Sequence, residues 1–366
     1  MLDVFWHDAA LGHDTGEGHF ERKPSPLLAV QELHHENADR VRNMRSILER
    51  GPLADRVRWR DGRLATEDEL TTLHDPEYVA KIRRIVEEGG ARLDGHTVIT
   101  PESWEPALAA AGTALAATDS VLAGESDLAY ALVRPPGHHA QPAQDDGYCL
   151  FNNTALAAER ARRAGRARVA VVDWDVHHGN GTQACFYDRG DVLTVSLHMR
   201  TGPWGPSHPQ TGSPEELGVG DGEGCNVNVE LPLGAGDVAY ARAMDEIVVP
   251  ILRQFAPELI VGACGQDAST FDPNGRQNVS MDGFRAIGRA VGDAARELCG
   301  GDLVLVQEGG YARTYAAFCL HATLEGVLGC DEPLLRETLA YIPDDVTRAR
   351  EAVEAVQTAL GRHWAF

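Results

Sequence analysis

The chain lacks any pairing pattern among its cysteines: there are seven, an odd number, scattered without a CxxC motif. Such spacing excludes a disulfide framework or a thiolate zinc cluster and leaves reduced, mostly buried thiols as the expectation. Basic charge is scarce too. Lys plus Arg number 33 against 55 Asp plus Glu, a formal net charge of −22, which argues against binding nucleic acid phosphates and for solubility. No apolar run approaches the roughly 18 residues of a membrane span, and MLDVFWHDAA shows no basic stretch followed by an apolar one. Neither membrane contact nor a secretory signal is expected, and a cytoplasmic location is the default. Internal repeats and low-complexity tails are absent as well.

The 366 residues, 43% of them hydrophobic, suffice for one large α/β domain, and no break in composition favours two. Chemistry begins in ARVAVVDWDVHHGNGTQ, residues 167–183. Residues 169–172 are apolar without alternation, as in a strand buried on both faces of a parallel sheet. Asp173, Asp175 and His177 follow at period two. In an extended chain all three point to one side at the strand's carboxyl end, where open α/β sheets bind ligands. Asp with His is an O/N pair suited to zinc or another divalent ion, and a catalytic zinc needs a third protein ligand and an open position. Three other stretches repeat the change from apolar run to abrupt polarity: RPPGHH at 134–139, GQDAST at 265–270 and EGGY at 308–311.

Pattern and turn chemistry predict strands at 2–6, 130–133, 192–197, 259–264 and 303–307, and helices at 41–50, 73–89, 105–123, 154–164, 238–255 and 282–298. Their alternation predicts a mostly parallel sheet with helices on both faces. Residues 202–224, crowded with Gly and Pro, read as a long surface loop, and the early loop histidines His7, His13 and His19 read as solvated.

The motifs RPPGHHA, GYCLFNN, VVDWDVHHGNGTQ, VSLH, the Asp267 segment and QEGGY, in that order, resemble the zinc-dependent histone deacetylases. They equally resemble that family's bacterial relatives, the histone-deacetylase-like amidohydrolases and acetylpolyamine amidohydrolases. The resemblance runs from about residue 3 to about residue 329, with 330–366 as a C-terminal helical extension of a single catalytic domain. EGGY and HHGNGT look like the class II branch. The resemblance implies the arginase-deacetylase fold and one catalytic zinc held by Asp175, His177 and Asp267. It implies removal of acetyl or other acyl groups from lysine-like amides by activated water, with acetylpolyamines as the alternative substrates. Potassium is implied beside the zinc, at Asp173, Asp175, His177, Ser196 and Leu197, and again near Phe186, Arg189, Val192 and Cys225.

By the same resemblance His139 is the main proton shuttle, and His138 its electrostatic partner oriented by Asp173. Asn180 stands where class I members carry Asp, so His139 should be less basic than in a His–Asp pair. Tyr311 resembles the tyrosine that donates to the developing oxyanion. Gly147, Tyr148, Trp204, Asn274 and Gly309 would belong to the acyl-lysine channel, with Tyr148 and Trp204 as facing aromatic walls. Asn274 falls at a rim position that is acidic in members dedicated to acetylpolyamines, and Glu215 or Glu216 could supply the acid instead. Arg40 is the candidate for the arginine of the acetate-release pocket, although an arginine on a helix surface is the plainer reading. Residues 20–33 look like an insertion. The resemblance leaves room for a dimer or tetramer.

Two rivals are weaker. An arginase-like enzyme with two manganese ions would carry a second carboxylate where this chain has Gly179. A catalytically silent binding protein would not need His138, His139, Asp175, His177, Asp267 and Tyr311 together.

Overall fold

Apolar residues without alternation need partners on both faces of their strand. Residues 169–173 find them: Ala170 and Val172 enter one hydrophobic core, Val169 and Val171 another. The computed structural model describes residues 1–18, 23–93, 95–200, 211–339 and 344–366. Its strands begin with β1 (Leu2–Trp6), β2 (Val57–Asp61) and a separate antiparallel hairpin of β3 (Ala91–Leu93) and β4 (Thr97–Ile99). They continue with β5 (Leu128–Ala131), β6 (Val169–Asp173), β7 (Val192–Met199), β8 (Asn226–Leu231), β9 (Leu259–Cys264) and β10 (Leu303–Gln307). Eight of them form one sheet of order β2-β1-β5-β10-β9-β6-β7-β8, parallel at every pairing.

The register sets Ala131, Val306, Ala263 and Asp173 in one row across β5, β10, β9 and β6. The loops leaving those four ends carry RPPGHH, EGGY, GQDAST and DWDVHH. Segments far apart in sequence therefore open onto one crevice at the carboxyl edge.

Helices fill both faces. α1 (Asp39–Arg50) lies over one, while α2 (Glu67–Leu70), α3 (Pro76–Glu87), α4 (Trp104–Leu122) and α5 (Asn153–Arg163) lie over the other or flank it. After the short α6 (Asn180–Phe186), the first face is completed by α7 (Asp237–Ala243), α8 (Val249–Phe255), α9 (Met281–Leu298), α10 (Tyr315–Val327) and α11 (Val346–Leu360). Capping explains the starts. Asp75 accepts from Glu77 N at 2.8 Å with Pro76 in the first helical position, and Ser280 accepts from Asp282 N and Gly283 N.

Residues 238–255, expected as one helix, change winding in the middle. A π turn at Met244–Val248 separates α7 from α8, just ahead of Pro250, which has no N–H to continue the ladder. His13 is not solvated as expected: it is buried, with Nδ1 3.0 Å from Ser103 Oγ, because its loop lies against the start of α4. His7 accepts from Ala9 N to start a short 3-10 turn, and His19 lies outside the described residues, as do 20–22 of the expected insertion. All seven cysteines are free. Among the described residues no helix is long and apolar enough to cross a membrane.

Candidate metal centre and acyl channel

Period two continues past the end of β6. Trp174 and Val176 turn into the core, so Asp173, Asp175 and His177 emerge on the opposite side. Asp267 arrives from the loop after β9, and its Oδ1 accepts from Val176 N at 2.8 Å, fastening the two loops together. Asp175, His177 and Asp267 are buried and each presents a donor atom within 4.8 Å of the others. His177 Nδ1 lies 3.1 Å from Asp175 Oδ1 and 3.0 Å from Asp267 Oδ2. Yet Asp267 Oδ2 accepts no hydrogen bond.

A buried carboxylate oxygen with no donor, facing an imidazole nitrogen, is an arrangement that a shared cation relieves. Glycines keep room around it. A Cβ on Gly309 would stand 2.2 Å from Asp267 Oδ2 and 2.6 Å from Asp175 Oδ2, and one on Gly265 2.3 Å from Asp175 Oδ2. Gly309 therefore sits at the floor, its N donating to Asp175 Oδ2 at 2.7 Å. Burial and the Asp175 carboxylate push Asp267 up to about 7, while His177, held down by burial, is pushed up to about 10 by the two carboxylates. Both shifts express excess negative charge in a dry place, and the Asp, His, Asp donor set fits a divalent ion of the zinc type.

His138 and His139 leave β5 in a turn that Glu308 pins from the end of β10. That carboxylate accepts from Gly137 N at 2.6 Å, His138 N at 3.1 Å and Thr154 Oγ1 at 2.6 Å. His138 Nδ1 donates to Asp173 Oδ2 at 2.9 Å. Burial alone would lower its pKa, but the Asp175 and Asp173 carboxylates hold it well above the ordinary imidazole range. His139 Nδ1 lies 2.6 Å from Asn180 Oδ1, and Asn180 Nδ2 donates to Asp146 Oδ2 at 2.7 Å. A carboxylate only accepts, so the amide turns its NH₂ to Asp146 and its carbonyl to His139. His139 Nδ1 thus carries a proton, and Nε2 is the nitrogen left for acid–base work.

Above these groups lies a cavity of about 240 Å³, lined by His139, His177, Gly147, Tyr148 and Tyr311 together with His96, Met199, Asn274 and Arg276. The Tyr148 and Tyr311 rings meet edge to face with centroids 5.7 Å apart. Gly147 (φ 48) and Tyr148 (φ 72) both take the left-handed conformation, and a Cβ on Gly147 would stand 2.3 Å from His139 Cδ2. The turn that aims Tyr148 is thus strained to fit beneath it. Trp204 lies outside the described residues. Ser196, on β7, is the register partner of Asp173, and Leu197 follows it in the core.

Residues 34–327 match the family described as histone deacetylase domain. The chain is 52% identical to histone deacetylase 8 of Arabidopsis thaliana over 361 residues, 98% of this chain and 96% of that one. The chain belongs to the histone deacetylase family. It is also 44% identical to the histone deacetylase-like amidohydrolase of Pseudomonas aeruginosa over 297 residues, 81% of this chain and 77% of the relative. The crystal structure of the HDA15 HD domain matches with a TM-score of 0.85 at 32% identity, covering 99% of this chain and 95% of the other. The protein is accordingly a hydrolytic deacetylase, and its parallel sheet is the arginase-deacetylase fold. The family is zinc-dependent, and the Asp175, His177, Asp267 group could bind a metal.

In this deacetylase Arg40 is not on a helix surface. It is buried, with Nε 2.7 Å from Gly310 O, Nη2 2.6 Å from Glu308 O and its guanidinium 4.5 Å over the Tyr311 ring. Glu36 neutralises it at 2.9 Å and also holds Arg134 at 2.7 Å. Burial would raise Glu36, but the Arg134 and Arg40 guanidiniums hold it down at about 2. Glu216 is turned away from the cavity to Gln183 Nε2 at 2.6 Å and Gly212 N at 3.1 Å. Neither it nor Glu215 lines the deacetylase channel.

Sequence reasoning missed Asp146, Glu308, Glu36, His96, Met199 and Arg276. The first two were within reach, since Asp146 precedes GYCLFNN and Glu308 opens EGGY. Nothing in the sequence pointed to the three channel residues.

Proposed function

We propose that this deacetylase removes acetyl or other acyl groups from lysine-like amides as a class II, bacterial-type enzyme, with one zinc ion held by Asp175, His177 and Asp267. The observation that carries the reading is the donorless Asp267 Oδ2, which faces His177 at the floor of a narrow channel. When bound, zinc supplies a Lewis acid for the amide carbonyl and lowers the pKa of water. The chain's own residues do the rest. His139 Nε2 takes the proton of the attacking water and returns it to the leaving amine, while Asn180 and Asp146 hold the tautomer. His138, oriented by Asp173, adds a compensating charge. The Tyr311 hydroxyl donates to the oxyanion, and Arg40 braces the loop behind it through two backbone carbonyls. Tyr148 and Met199 shield a linear alkyl chain from water, with Trp204 as the proposed further wall and Gly309 at the channel floor.

Potassium is proposed at Asp173, Asp175, His177, Ser196 and Leu197, supported by the pairing of Asp173 with Ser196 in the sheet, and again near Phe186, Arg189, Val192 and Cys225. The chain is proposed to act as one catalytic domain. Its C-terminal segment is clasped to the body, with the Trp364 indole N–H donating to Gly224 O at 2.7 Å and Asp344 accepting from Gly236 N at 3.1 Å. Seven free thiols support a reducing compartment, the cytoplasm in the first instance. Assembly into a dimer or tetramer stays within the proposal, and light scattering tests it.

Acetylpolyamines are the second reading, and Asn274 counts against it because an amide cannot pair with a distal ammonium. The purified protein is expected to contain one zinc per chain by elemental analysis and to turn over an acetyl-lysine peptide. A preference in kcat/KM above about 100-fold for N-acetylputrescine or N8-acetylspermidine, a difference of nearly 3 kcal/mol, would favour the polyamine reading instead.

A further inference from the structure

Above the metal-ligand floor, the described residues that line the channel include no Asp, Glu or Lys, and Arg276 is the one among them that bears a permanent charge. Its guanidinium Nη1 donates to Pro273 O at 2.9 Å and Gly275 O at 2.5 Å, and among the described residues it pairs with no carboxylate. Arg276 is thus a cation without an acidic partner among the described residues, set at the mouth of the catalytic channel in a chain of net charge −22.

The loop that carries it is fixed. Asp272 accepts from Asn274 N at 2.8 Å and Gly275 N at 3.2 Å on its own loop, and from Tyr311 N at 2.6 Å and Ala312 N at 3.0 Å on the catalytic one. A Cβ on Gly275 would stand 1.9 Å from Asp267 O, so the backbone one residue before Arg276 is seated directly on a metal-ligand loop. Arg276 O in turn accepts from Gly234 N at 2.8 Å. Whatever leaves the channel on the amine side of the amide passes a positively charged group of set position.

We infer that Arg276 selects acylated amines that carry a carboxylate on the amine side, about four carbons from the scissile nitrogen, and disfavours those ending in an ammonium. The inference rests on the deacetylase reading of the same channel. A guanidinium suits a carboxylate because its planar fork can present two parallel N–H donors. Partial exposure limits the gain, since solvent screens the pair.

The test compares three acetamides of equal reach: 5-acetamidopentanoate, N-butylacetamide and N-acetylputrescine, which are anionic, neutral and cationic. At physiological ionic strength, where the −22 charge acts only within about 8 Å, kcat/KM for the anion is expected to exceed that for the cation by about 10-fold, mainly through KM. Taken relative to the neutral compound, the preference should vanish in Arg276→Ala and invert in Arg276→Glu. Equal use of anion and cation, or a preference that survives Arg276→Ala, overturns the inference while leaving the deacetylase intact. No turnover of any acetamide or of an acetyl-lysine peptide by zinc-loaded protein would overturn both. A parallel pair of acetyl-lysine peptides, with Asp or Lys as the flanking residue, separates a small acid from an acidic protein segment as the source of the carboxylate.

Discussion

The floor and the mouth of the channel are built on different terms. At the floor, four strand ends in register deliver His138, Asp175, His177, Asp267 and Glu308 to one buried place, and the sites of glycines 265 and 309 have no room for even a methyl group. At the mouth, His96, Asn274 and Arg276 stand on turns and loops, and Arg276 is exposed. A group fixed by a sheet cannot move without disturbing its neighbours, whereas a side chain on a rim turn can change at little structural cost. The difference separates what the enzyme does from what it does it to.

The largest effect should come from the floor. Asp267→Ala is expected to lose zinc and turnover together, by about 10²-fold or more in activity, since even supporting residues around a metal cost up to that much. Retention of a full zinc equivalent, measured by elemental analysis, would sink the assignment. Tyr311→Phe should keep zinc and fold and lose about 10²- to 10³-fold in kcat, the usual cost of one oxyanion donor. A loss of less than about threefold would place the donor elsewhere.

Asp146→Ala tests whether the floor extends to residues behind the histidines. It should lower kcat by about 10-fold with zinc and KM retained, because Asn180 would no longer be held with its carbonyl toward His139. An unchanged kcat would show that Asn180 needs no backing.

Acid tests the supporting frame. Burial lowers His13 and His74 from the ordinary 6.5 to about 4, and His74 is bonded as a neutral ring, Nε2 accepting from Asn152 N at 2.9 Å and Nδ1 lying 3.1 Å from Gln141 O. The unfolded chain takes up these protons first. Stability should therefore be complete above about 6.5 and fall as the pH drops toward about 4, with a matching fall in Tm by calorimetry. The buried carboxyls Glu308, raised to about 7, and Asp272, raised to about 6, act in the opposite sense. The same scan on His74→Gln therefore isolates the ring: an unchanged pH dependence in that variant would mean that His74 is not held neutral. The smallest effect belongs to the mouth, where the roughly 10-fold charge discrimination set by Arg276 should leave zinc binding untouched.

Legibility in the sequence follows the same division. The period-two run from Asp173 to His177 could be placed from pattern alone, because a strand alternates its faces and the switch from apolar to polar marks its end. The alternation of strands and helices gave the parallel sheet for similar reasons. α10 escaped because it is buried almost all round, so it has no apolar stripe to recognise. The link from Arg40 through Glu36 to Arg134 spans about a hundred residues and obeys no local period. Asp146 lay beside a quoted motif, but a hydrogen bond to an amide 34 positions away leaves no trace in spacing.

β2 was missed for a reason that has a use of its own. Its sequence, VRWRD, is charged and half exposed, because it forms one border of the eight-stranded sheet, while the other border, β8, packs against α11. The guanidiniums of Arg58 and Arg60 fold back onto Asp3 and Glu125 along this margin. A second molecule adding a strand there would have to strip water from these charges and break their pairs before gaining any backbone bond. The stretch that reads least like a strand is thereby a guard against fibre growth at the open border of a wide, apolar sheet.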